Sequence, residues 1–451
     1  MTIRFLLLGA VSGAALLASP AYAACTGTST VTCTGTTTSS PQFETNGANV
    51  TVQSGASIQV GGGNDGARIE ADDVTLTNNG TISTNPGGDD AIRVDGAGAT
   101  IVNGTGALID GADKAITEQD DFDAPNLTVI NRGEIRATGD AVESLADGMS
   151  VTNSGTVTSS AGRALQGRGF GFQVDNSGTL SGDDEAVEGR DGFDLINRAG
   201  ALIVSTSGDG VQFGDGTRVN HGTIDGGDDG VDVDSGLVRN FGTIIARGAD
   251  GGGVDIDPEA ESGDVPGALR IENHDGASIT GFVGILADPA SQQPLQILNE
   301  GTLAGTSGDA ILMAGSQAAS SVELRGNSMV DGDITFGNGD DTLVLGDFLI
   351  AGDLTSGGEI DGAGGTDVAR FLGYDFSGLF DVAVSGGLLS FGFQSLSGEI
   401  MTASLRDFEF LQFADGRYAV RANGVAAVPV PAAGLLLGGA LFGLAALRRR
   451  T

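Results

Sequence analysis

The sequence has no tryptophan and three tyrosines, and aromatic residues make up only 5% of its 451 positions. A thick core built around large rings is therefore not expected. Histidine occurs twice, cysteine twice and lysine once, at Lys114. That scarcity leaves little material for nucleophilic, general-base or thiol–metal chemistry. HExxH, GxSxG, paired CxxC and phosphate-loop patterns are all missing. Positive charge is also short: 22 basic residues stand against 59 acids, for a net charge of −37. So acidic a chain repels phosphate backbones, which argues against nucleic acid as a partner, and it favours cations. Glycine, by contrast, is abundant at 77 residues, more than twice the usual share of about 7%. Apolar residues reach 40% and are mostly small or β-branched, which separates the chain from a disordered polyanion.

The two ends read most directly. Arg4, an apolar run and Ala21-Tyr22-Ala23 have the layout of a secretory signal peptide, residues 1–23, cleaved after Ala23. Cys25 and Cys33 then lie close together at the start of an exported chain. Such a pair reads as one disulfide, pinning an N-terminal cap over residues 24–48. At the other end, residues 432–447 are continuously apolar and are followed by Arg448, Arg449 and Arg450. As a helix this stretch would be about 24 Å long, slightly short of a hydrocarbon core of roughly 30 Å. Snorkelling arginines extend its reach, so a single C-terminal transmembrane helix is expected, anchored in the inner membrane with its basic tail in the cytoplasm.

Between the ends the chain repeats itself. Asn-x-Gly-x-aliphatic recurs from Asn78, Asn131, Asn153, Asn176, Asn220, Asn240 and Asn299, with stretched copies from Asn103, Asn197 and Asn273. Successive asparagines are 20 to 33 residues apart. Each unit holds about three short stretches of alternating apolar and polar residues, separated by Gly, Asn and Asp. Leucine-rich repeats need an LxxLxL pattern that is missing, and propeller blades need periods of about 40–50. The pattern predicts an all-β fold, a right-handed parallel β-helix of about 13 coils over residues 49–354, with a β-rich closing segment over 355–424. Stacked coils put like residues over like. The Asn column is expected to hydrogen-bond along the axis from left-handed corner conformations, and the Gly two positions later to permit a close approach. Such positions are architecture rather than sites.

Three features carry weaker chemical signals. Gly337-Asn338-Gly339-Asp340-Asp341-Thr342-Leu343 matches the later part of the calcium nonapeptide, making Gly337, Gly339 and Asp341 candidate calcium ligands, although a tight Asp-Gly turn explains the same residues. A following Asp367 looks out of register with it. Asp89-Asp90, Asp183-Asp184 and Asp228-Asp229 recur at similar places in the repeat, so stacking would crowd like charges unless cations bind or the turns splay. His221 and His274 follow repeat asparagines and are expected to point outward at turns.

Val428-Pro429-Val430-Pro431-Ala432, then the apolar run and the arginines, resembles the VPLPA form of the PEP-CTERM sorting signal, with Val430 in place of Leu. The resemblance covers residues 425–451. It implies recognition by an exosortase-type membrane enzyme, cleavage near the motif, and delivery to the cell surface or an exopolysaccharide matrix. The repeats resemble, more loosely, autotransporter passengers and filamentous adhesins. After Gly424 there is no room for a β-barrel of about a dozen strands, so self-secretion is not expected. The expected role is structural or adhesive, with extracellular polysaccharide or other surface components as partners, no catalytic residues and no obligatory cofactor. A β-helix polysaccharide lyase or hydrolase, and a calcium-dependent surface-layer-like protein, are the alternatives.

Overall fold

The computed structural model describes residues 24–118, 124–257, 268–348, 358–394 and 400–429. Among them the only helix is a single 3-10 turn, Phe376–Gly378. Everything else regular among them is strand, most of it stacked as a parallel β-solenoid of about thirteen regular turns. The coil over residues 150–167 is typical: Ser150–Asn153 lies on the first face, Thr156–Ser159 on the second and Leu165–Gly167 on the third. Each strand pairs in parallel with its counterpart one coil before and one after.

The strands form because their apolar residues alternate with polar ones, so one side of each can be buried while the other meets water. The second face shows the result. Ile82, Ile109, Ile135, Val157, Leu180, Ile203, Ile224, Ile244, Ile279 and Leu303 align in one inward column. All are buried. A column of similar branched side chains at the rung spacing of about 4.8 Å fills the interior without large rings. One coil alone would expose this column at both of its edges, so stacking supplies the stability.

On the first face the parallel stack runs from Thr30–Thr34 to Val368–Phe371 and Phe410–Phe413. Thirteen of its strands fall between Asn49 and Phe348, the stretch over which the repeat is legible. At the N-terminal end Ala24–Thr26 folds back antiparallel onto Thr30–Thr34, opposing Cys25 to Cys33, and the two cysteines are disulfide-bonded. At the other end the topology turns antiparallel. Phe380–Ser385, Leu388–Gln394 and Ile400–Arg406 form a closing sheet attached to the last third-face strand, Ile360–Asp361. Aromatics scarce elsewhere gather here. Phe371 stacks on Phe413 at 4.5 Å and meets Phe391 edge-on, while Phe376 stacks on Tyr418 at 4.2 Å. A terminal coil has no neighbour to cover its apolar interior, and bulky rings do so instead.

One core position breaks the aliphatic pattern. Arg218 occupies the inward column between Leu195 and Val238 and is 1% exposed. Its guanidinium lies over the ring of Phe213, 3.0 Å from the centroid, and donates to the carbonyls of Phe193 and Asp215. Loss of hydration lowers its pKa to about 8. A buried cation with no carboxylate in a salt bridge to it among the described residues is a cost that an apolar chain of similar length avoids. Arg218→Met is therefore expected to leave the melting temperature unchanged or raise it, whereas Arg218→Ala, which opens a void, should lower it. A clear fall for the methionine variant in calorimetry would show that the guanidinium is a net support.

Candidate metal centre

The polar side chains fall into those consumed by the architecture and those that are not. Ten asparagines, Asn78, Asn103, Asn131, Asn153, Asn176, Asn197, Asn220, Asn240, Asn273 and Asn299, sit in one register column at the end of the first-face strands. All are buried. The Nδ2 of each of the first nine donates to the Oδ1 of the next asparagine at 2.8–2.9 Å, and Asn299, the last, donates to the Oγ of Ser328 at 2.7 Å. The second Nδ2 proton goes to a backbone carbonyl of the second face, as from Asn153 to Thr179 and from Asn176 to Leu202. Oδ1 also takes the N–H two residues on, from Gly155 to Asn153 and from Gly178 to Asn176.

The expected left-handed conformation is corrected: none of these asparagines has a positive φ, and Asn126, which does, lies in a different turn. The residues stay extended because the bonded column needs their side chains inward at the strand end. The glycines contribute space. A Cβ on Gly155 or Gly178 would come within 2.1 Å of the carbonyl oxygen one coil below.

The two histidines do lie at turns. His221, Phe241 and His274 follow successive column asparagines and stack ring on ring at 4.7 and 4.2 Å. His274 sits between Glu272 and Glu300. Because each ring covers its neighbour's face, Phe241 offers only an edge, which is a poor platform for a sugar ring.

Carboxylates concentrate where the second face turns into the third. Asp90, Asp140, Asp209 and Asp229 each accept the backbone N–H of the residue one coil on: Lys114, Arg163, Asp229 and Gly252. Early in this corner the signs alternate, Asp90, Lys114, Asp140, Arg163, and the charges offset one another. Later it reads Glu185, Asp209, Asp229 with no base between them. The outward column of the third face behaves alike. Glu143, Gln166, Glu188, Gln212 and Asp232 alternate acid with amide, and Gln166 and Gln212 donate to the acids above them. Asp232 is then followed directly by Asp255.

Among the described residues three groups of acids could hold a metal ion: Asp65, Asp89 and Asp90; Asp209, Asp228 and Asp229; and Asp232, Asp255 and Asp257. Within each, one ligand oxygen per residue lies within 4.8 Å of the others. Burial, reinforced by neighbouring acids, pushes Asp209 and Asp255 up to about 8 and Asp90 to about 7. Burial likewise raises Asp232 to about 7, against the bond from Gln212 and with help from Asp257 and Asp229. A divalent cation relieves the same repulsion that holds these protons.

The sequence-predicted positions fare unevenly. Two of the three acidic pairs, Asp89-Asp90 and Asp228-Asp229, enter such groups. Asp184, of the third, faces Arg163 instead. Asp341 of the nonapeptide-like segment points its Oδ1 at the N–H of Ser320, 2.6 Å away, so that oxygen caps the preceding coil. Asp367 proves to be in register with Asp341, one coil on, and accepts its N–H at 2.8 Å, since Thr342 pairs with Val368. Gly337 and Gly339 pack against the carbonyls of Ser316 and Ala318. Sequence reading missed Asp65, Asp209, Asp232, Asp255 and Asp257. The spacing of Asp209 from Asp229 and of Asp232 from Asp255 matches the repeat and was the available signal.

Val428 and Pro429 end the described chain in an exposed segment. Ala21, Ala23, Val430, Pro431, Ala432, Arg448, Arg449 and Arg450 lie outside the described residues, as does the apolar run. Among the described residues no helix is long and apolar enough to cross a membrane. No protein-family model, curated protein or solved structure matches the chain.

Proposed function

We propose that this chain is an exported, non-enzymatic rod of the bacterial surface or extracellular matrix, adhesive or structural in role. The observation that carries the reading is the Asn column. Ten buried amides are spent on holding coils together, which is what a long load-carrying stack of coils requires. The tail that resembles a PEP-CTERM signal supports export followed by release or surface transfer through an exosortase-type enzyme. Polysaccharide or other matrix components are the partners that this location offers.

The acidic groups favour a second reading within the same frame, a surface-layer-like protein stabilised by calcium, the hard divalent cation suited to flexible oxygen-only sites. Intact-mass measurement on protein recovered from the cell surface is expected to give a chain beginning at Ala24 and ending near Pro431. A chain retaining Arg448–Arg450 would contradict processing at the motif. Incubation with acidic polysaccharides should release no new reducing ends. Turnover there would replace the rod with the carbohydrate-active alternative.

A further inference from the structure

The longest interval between repeat asparagines, 33 residues from Asn240 to Asn273, marks a coil whose return to the first face is interrupted by an insertion after Asp257. Beside it lie the carboxylates of Asp232, on one coil, and of Asp255 and Asp257 on the next, with ligand oxygens within 4.8 Å of one another. The neighbouring cation Arg247 is taken by Asp225 on the second face.

A separate observation comes from the following coil. Gln293, in the turn between Val283–Ala287 and Leu295–Asn299, is 2% exposed. Its Nε2 is anchored on the backbone carbonyls of Asp234, at 2.8 Å, and Asp257, at 3.0 Å. The acyl oxygen of the same amide is buried and meets no donor among the described residues. Buried acceptors are nearly always satisfied, and an exception points to an ion or water. The bond to the Asp257 carbonyl ties this amide to the coil that carries Asp255 and Asp257.

We propose that Asp232, Asp255, Asp257 and the Oε1 of Gln293 form a divalent-cation site that staples three successive coils across the insertion. The site rests on the cation reading above and assigns it a place and a ligand set. Three carboxylates and one amide carbonyl are hard oxygen donors. They are drawn from three successive coils, with Asp255 and Asp257 on the middle one, and the sheet sets the coil separation at about 4.8 Å. Calcium tolerates such spacing with water completing its shell, whereas magnesium demands a near-ideal octahedron, so calcium should bind more tightly.

The full exported chain, freed of metal, would be titrated with calcium chloride by calorimetry at pH 8, and melted with and without the ion. Wild type is expected to bind and to melt higher in calcium. Asp255→Asn should lose one binding event. Gln293→Leu should weaken that event roughly tenfold or more, and Gln293→Glu, which adds a ligand charge, should strengthen it. Asp→Asn at this site relieves repulsion, so the variant is expected to fold, and its metal-free melting temperature should rise. If Asp255→Asn and Gln293→Leu titrate as wild type while Asp209→Asn loses binding, this site is wrong and the cation reading stands elsewhere. If wild type neither binds nor melts differently, both fall.

Discussion

Asn176→Ala is expected to destabilise the solenoid by about 3–5 kcal/mol, from two orphaned donors at roughly 1–3 kcal/mol each plus a small void. The donors are the N–H of Gly178 and the Nδ2 proton that Asn153 now gives to Asn176. Neither can turn to water, because the whole column is buried. The carbonyl of Leu202 loses a partner as well. Asn176→Asp should cost more, since it places an uncompensated charge in the column while removing both Nδ2 donors. Stability in a stacked array is close to a sum of coils and their nearest-neighbour interfaces. A weak interface in the middle should therefore divide the melting curve, with exchange protection falling first in the coils that flank Asn176. A single transition within a degree of wild type would mean that the ladder contributes little.

Acidification from pH 8.5 to pH 5 in a chelator should raise the melting temperature by many degrees, the reverse of a protein held by ordinary ion pairs. Burial holds Asp90, Asp209, Asp232, Asp255 and Asp367 at about 7 to 8, and Asp229 and Asp341 at about 6, all above the ordinary aspartate value of 3.8. A carboxyl whose folded pKa is raised binds its proton more tightly when folded. Its support is complete below the unfolded value and is lost as pH climbs from there through the folded one, here from about 4 to about 8. Each unit of difference is worth about 1.4 kcal/mol at most, and coupling between neighbours makes the sum smaller than the parts. Calcium should flatten the upper part of this profile while leaving pH 5 unaffected, because proton and cation compete for the same oxygens. A melting temperature that is flat from pH 5 to 8.5, or that rises with pH, would contradict the buried acidic corner.

Much of the fold was legible before any coordinates because the repeat is its own alignment. Asn-x-Gly-x-aliphatic marks the same turn in seven coils and a stretched copy marks it in three more, and the period of roughly two dozen residues fits three short strands. Reading failed where a residue leaves the period. Arg218 sits in an inward position that the pattern assigns to Val or Leu, and only packing between Phe193 and Phe213 makes it tolerable. Asp367 looked out of register because the glycines before it are shifted, yet the strand pairing aligns it with Asp341. The Asn conformation was misjudged for a related reason. A left-handed corner is one way to stack amides, but a strand end with an inward side chain serves equally, and local sequence does not separate the two.

The candidate site was less legible. Asp89-Asp90 and Asp228-Asp229 stood out as pairs, whereas Asp255 and Asp257 look like ordinary outward positions of a strand. Gln293, far along the chain, carries no motif at all.

The amino-acid order by itself determined the class of fold, its period and its amide spine, because a solenoid's contacts lie one repeat apart and so are written at a constant separation. The stacking decided the rest: which acids share a corner, which of them meet a base, and which buried oxygen is left without a donor. Those outcomes depend on how far the coils on either side of an insertion are offset, and that offset is set by backbone pairing between strands rather than by any residue's neighbours in sequence.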